Sequence, residues 1–142
     1  MKKLETEADK MNRIYKENGL VREDIHQDQR GFKFIKRAGI EKIIAKHNIQ
    51  MQLDLKVCNL GLENTEDHVV VMATGKKGDN IVQSFGSAND KTCSPFQKGI
   101  KVEMAEKRAK ARVVLQLVDL YSEGIHSEDE FPEVKPVNSI KA

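Results

Sequence analysis

The chain of 142 residues holds only two cysteines, Cys58 and Cys93. They lie far apart in mismatched settings, so free thiols are expected rather than a disulfide. No stretch approaches the ~18 consecutive apolar residues of a membrane span. The opening MKKLETEADK is charged and lacks the apolar centre of a secretory signal. The expected compartment is therefore cytoplasmic, with no membrane partner. A G-x-x-x-x-G-K-[ST] loop is missing too; GKKGDN has the wrong glycine spacing and reads as a hairpin turn, so ATP-driven strand exchange is not expected. His26, His47, His68 and His126 lack metal-ligand spacing with one another or with the cysteines. Ser84, Ser87 and Ser94 have no G-x-S-x-G setting, and no nucleophile–base pair stands out. Glu63, Glu66 and Asp67 form an acidic loop, but a two-metal site needs acids converging from several elements. No catalytic residue, metal ligand or cofactor is assigned, and an enzyme is the class with least support.

Charge is abundant and unevenly placed. Charged residues make up 32% of the chain and the formal net charge is +2. Residues 30–46 hold six basic residues and one acid, Glu41. Residues 98–112 hold six basic residues and two acids. The tail beyond Tyr121 is acidic and then nearly neutral. Such segregation points to a partner of opposite sign more than net charge does.

The length suits one compact domain. Residues 3–18 read as a helix, with Leu4, Ala8, Met11, Ile14 and Tyr15 on one side and Gly19 as its stop. Residues 20–31 read as polar and irregular. Phe32 and Phe34 alternate with Lys33 in a short extended piece. From Lys36 the period turns helical through Ile40, Ile43 and Ile44, and Asn48 ends it. His47 then sits at a helix C-terminus, where a cation is favourable. In IQMQLDLKVC, Met51, Leu53, Leu55 and Val57 alternate with polar residues, which predicts a strand with one buried face. HVVVMAT and NIVQSFGSA flank a Gly-rich turn and predict a hairpin. NDKTCSPFQKG reads as a loop. The longest helix runs from about Lys101 to Leu120, with Val102, Ala109, Val113, Leu117 and Leu120 on its buried face.

The expected fold is α+β, a small antiparallel three-stranded sheet packed on helices in αβββα order. Residues 1–19 form an N-terminal helix, 20–121 the core domain, and 122–142 an acidic tail expected to be disordered.

The last helix carries the chemistry. On a 3.6-residue wheel Lys101, Arg108 and Arg112 fall on one stripe without an acid. Lys107 and Lys110 follow Glu103 and Glu106 by four positions and form favourable pairs. An unpaired basic stripe invites an external anion, and arginine suits phosphate. On that reading, truncating Arg108 or Arg112 weakens binding and leaves stability intact. If their stems instead cover apolar surface, truncation costs stability and leaves binding untouched. Lys76 and Lys77 at the hairpin tip, with Lys33 and Arg37, form a second line.

RGFKFIKRAGIEKI, followed by three strands and KVEMAEKRAKARVVLQLVDLYSEGIHSEDEF, resembles phage and prophage recombination proteins of the single-strand annealing type. These carry an aromatic-basic entry and a MAEKRAKxRxxLxLxxLY helix before an acidic S-E-D-E run. Here that helix motif falls on Met104, Ala105, Glu106, Lys107, Arg108, Ala109, Lys110 and Arg112. The element order is similar to the Rad-fifty-two-like fold of the Sak and Erf groups, and the resemblance covers about Arg30 to Phe131. It implies a non-enzymatic protein that binds single-stranded DNA and promotes annealing. It also implies a homo-oligomer, a ring in that family, and a tail that could meet a single-strand-binding protein. The DNA contacts are then Lys101, Arg108, Arg112, Lys76, Lys77, Lys33 and Arg37. Two alternatives share the pattern. One is a double-stranded RNA-binding-like domain, although its basic cluster belongs at the very start of the last helix. The other is a regulatory interaction protein with an acidic partner.

Overall fold

The computed structural model describes residues 5–61, 66–89 and 100–128. The protein is α+β, with three helices and two three-stranded sheets among the described residues. In chain order the elements are α1 (Glu7–Asn18), β1 (Ile25–Gln27), β2 (Lys33–Ile35), α2 (Arg37–His47), β3 (Gln50–Asn59), β4 (His68–Lys77), β5 (Asn80–Asn89), α3 (Lys101–Leu117) and β6 (Ile125–Ser127). Short 3-10 turns at Arg22–Asp24 and Tyr121–Glu123 precede β1 and β6.

The run α2–β3–β4–β5–α3 follows the expected order, but the chain as a whole does not reduce to it. Three short strands build a second sheet, ordered β1-β2-β6, with β2 antiparallel to β1 and parallel to β6. Residues 20–31 are thus not all irregular, and 122–128 are not disordered tail. Ile125 is fully buried beside β2, and Glu128 Oε2 accepts the Arg37 backbone N–H at 3.0 Å. The remainder of the tail, from 129 on, lies outside the described residues, as does the loop carrying Cys93. Cys58 is an exposed free thiol.

Helix α3 is the centre of the molecule. It packs on β4 and β5 with one side and meets α2 and β6 with others. Burial of Met104, Ala105, Ala109, Ala111, Val113, Val114, Leu115 and Leu117 leaves little of it outside. A helix apolar around most of its circumference needs neighbours on all those sides. Glycines set its approach to the sheet. A Cβ on Gly86 of β5 would land on the Ala109 backbone nitrogen and the Ala105 carbonyl oxygen. The alanines of the AEKRAKA stretch are therefore small so that strand and helix backbones can nearly touch.

Sheet β3-β4-β5 is antiparallel throughout. Val69, Val71, Ala73 and Gly75 of β4 turn toward α3 and are buried. Val70, Met72, Thr74 and Lys76 point the other way. The expected inward row of β3 holds only in part. A bulge between Leu55 and Val57 shifts the register, so Val57 pairs with the outward-facing Val70. Leu55 is left 55% exposed. A bulge inserts a residue, and everything after it changes face.

Helix α1 docks through Ile14, part of the same core as Leu115 and Ile125. Its ends are chemically defined. Thr6 and Asp9 make a capping box, and Gly19 takes the left-handed conformation at φ 68°. Asn48 closes α2 in the same way at φ 55°.

Candidate nucleic-acid interface

Two of the three residues of the acid-free stripe of α3 do not face solvent, and Arg112 is half-buried. Lys101 and Arg108 are each 3% exposed. Lys101 Nζ lies 3.1 Å from Asp67 Oδ2, an acid from the loop before β4 that a helical wheel cannot bring in. Arg108 Nη1 donates to the Ser87 carbonyl at 2.7 Å, and Arg112 Nη1 to the Phe85 carbonyl at 2.7 Å. β5 is an edge strand, and these two carbonyls belong to it. The arginines therefore cap an edge that would otherwise offer open backbone groups to another strand. The expectation of a solvent-facing phosphate row at Lys101 and Arg108 is corrected: the stripe is the seam between helix and sheet. Lys110 also departs from the expected pairing. It reaches Glu41 on α2 at 2.7 Å instead of Glu106 on its own helix.

The other four predicted residues separate into three places. Lys33 of β2 pairs with Glu7 of α1. It lines a cleft of roughly 250 Å³ with Met11, Tyr15 and His26. Arg37 begins α2 and borders a shallow dimple with Lys107 and Lys110. Lys76 and Lys77 end β4, with Lys76 exposed.

At that end of β4 the fold joins charges that lie some thirty positions apart in sequence. Lys46 and His47 close α2, and both Lys46 and Lys77 act on the His47 imidazole. Burial lowers its pKa below the ordinary 6.5, the charges of Lys77 and Lys46 lower it further, and Glu17 opposes them. His47 Nε2 lies 2.8 Å from Asn18 Oδ1. A cation at a helix C-terminus was the expectation for His47. Its place is as expected, but burial and two lysines outweigh the helix end. Lys46 and Lys77 thus flank His47, and exposed Lys76 precedes Lys77 on β4. Lys46 was visible as part of a basic run and His47 as a helix-end residue, but their meeting with Lys77 depends on the turn of the chain through β3.

Three further features escaped the sequence reading. Asp24, 5% exposed, accepts the Val21 N–H at 2.9 Å and Lys42 Nζ at 2.8 Å. Burial pushes its carboxyl up, but Lys42, the Val21 N–H and the charge of Lys36 hold it below the usual range. This pair ties the turn before β1 to α2. On the small sheet, His26, Phe34 and His126 lie side by side, with ring centroids 5.6 and 6.5 Å apart. Arg30 covers the Phe32 ring at 4.9 Å. The third feature is Phe85, whose outward side chain is 51% exposed. The alternation in GFKF signalled the second; a three-residue strand gives too little period for the rest.

Among the described residues, no group of three or more His, Cys, Asp or Glu is placed to hold a metal ion. No described helix is long and apolar enough to cross a membrane. The chain matches no protein-family model, no curated protein and no solved structure.

Proposed function

We propose that the protein is a non-enzymatic single-stranded DNA-binding protein that promotes strand annealing, acting as a homo-oligomer in phage-type recombination. The observation that carries this reading is that Lys46, at the end of α2, and Lys77, at the end of β4, both lie close enough to act on His47, with Lys76 exposed next to Lys77. Such a cluster repels itself and gains when a polyanion neutralises it. Arg37 and Lys107, at the dimple between α2 and α3, supply a second point of contact. Arg108 and Lys101 hold the helix to the sheet and act on DNA only by keeping that frame. The resemblance of the α3 motif to annealing proteins supports the same substrate.

The test is titration of a labelled single-stranded oligonucleotide over a salt series, beside an annealing assay with two complementary strands. Three lysine–phosphate contacts, at about −0.7 each, contribute about −2 to the log–log salt slope. The Lys46→Ala/Lys76→Ala/Lys77→Ala variant should lose that slope and the annealing. Salt-independent binding, or none at low salt, overturns the reading. Tighter binding of duplex RNA would favour the RNA-binding alternative.

A further inference from the structure

We propose that the outward face of the β3-β4-β5 sheet, centred on Phe85, is a stacking platform for an unpaired nucleobase of the strand whose phosphates lie on Lys46, Lys76 and Lys77. This rests on the single-strand reading above and extends it from the phosphates to the bases.

The first observation is charge. Five positions in register on each strand face outward, and only Asp54 and Lys76 among them carry a formal charge. The chain as a whole is 32% charged. A face so depleted of charge repels neither bases nor sugars and gives phosphate nothing to hold. The second is exposed apolar surface. Phe85 is 51% exposed and Ile81 63%, and Phe85 lies opposite Met72. The third is continuity with the basic end. Ile81 lies opposite Lys76, four residues from Phe85, which is about 13 Å along a strand. A neutral aromatic face beside a positive end matches the two halves of a single strand, since every base has a π-face and every phosphate a charge.

Other occupants fit less well. Three ten-residue strands make a face of roughly 33 by 14 Å, about 460 Å², against about 800 Å² per partner in a standard protein interface. A second copy laid face to face would be held weakly. An added strand at the β5 edge meets Arg108 and Arg112 on the Ser87 and Phe85 carbonyls. Phe32 is also exposed, but Arg30 already lies over its ring. A base lying flat on Phe85 keeps its pairing edge in water, as annealing requires.

The experiment compares an oligo-dT with an abasic oligonucleotide of equal length, which keeps the phosphates and removes the bases. Phe85→Ala should weaken oligo-dT binding about 5- to 150-fold, the range for one lost base stack, and leave the abasic strand unchanged. Phe85→Tyr should retain both. Circular dichroism confirms the fold of each variant. Equal weakening of both strands, or no change in either, overturns the platform while the phosphate reading stands. If wild type binds neither strand at low salt, the single-strand reading falls and takes the platform with it. If Phe85→Ala dissolves a dimer seen by sedimentation and leaves both affinities alone, the face belongs to a second copy and the platform is overturned.

Discussion

At the residue scale, Gly86 and Arg108 are where single changes cost most. A methyl at Gly86 meets α3 backbone, which cannot swing aside as a side chain can. Gly86→Ala is expected to lower stability by about 1–3 kcal/mol, the range for overpacking, read from thermal or urea denaturation. Arg108→Ala removes a buried side chain and leaves the Ser87 carbonyl without that donor. It should cost about 2–4 kcal/mol and change DNA affinity little beyond that loss. The sequence reading on the anion-gripping premise forecast the reverse for Arg108, whose burial supports the present expectation. Acid sensitivity also belongs here. The Gly61 N–H and then Lys101 hold the Asp67 carboxyl below its usual range, and Lys42 and its neighbours do the same for Asp24 against burial. Both groups bind protons less readily folded than unfolded. The stability they contribute is complete above the unfolded pKa of about 4 and is lost as pH falls through it toward the folded values. Asp24→Asn should flatten that acid limb in a denaturation series; an unchanged limb would remove Asp24 from the account.

At the element scale, legibility followed length. Helices α1 and α2 and the long strands β3, β4 and β5 span enough residues for a period to show, and Gly19 and Asn48 announce their helix ends. β1, β2 and β6 have three residues each, too few for alternation to rise above chance, and β6 pairs with β2 only across the whole core. The wheel of α3 gave the stripe correctly but not its direction. A wheel shows which residues share a side; which side faces the sheet depends on Gly75, Gly86 and the edge carbonyls of β5. Those arginines also yield a prediction for the strand. An Arg108→Met/Arg112→Met variant keeps the apolar stems and frees the Phe85 and Ser87 carbonyls. It should self-associate more than wild type at equal concentration, seen by light scattering, because an open edge templates pairing.

At the scale of the whole molecule, a net charge of +2 hides a division of labour. Many basic residues are spent inside the fold: Lys33 on Glu7, Lys42 on Asp24, Lys101 on Asp67 and Lys110 on Glu41. On the basic helix, Lys101 and Arg108 brace the interior, and Lys110 and Arg112 bind other elements nearer the surface. The charge that gathers elsewhere sits at the ends of α2 and β4, and His47 responds to Lys46 from the one and Lys77 from the other. Folded, His47 takes a proton less readily than in the unfolded chain, so its contribution to stability is present above about pH 6.5 and is lost as pH falls below it. Phosphate placed on Lys46 and Lys77 would cancel two of the influences that lower its pKa. The most direct measurement is therefore an NMR pH titration of the His47 imidazole with and without saturating oligo-dT. The account predicts that the His47 pKa rises when the strand is bound, and that Lys77→Ala raises it without DNA. An imidazole whose titration is the same with and without the strand would contradict the placement of DNA at this end of the molecule.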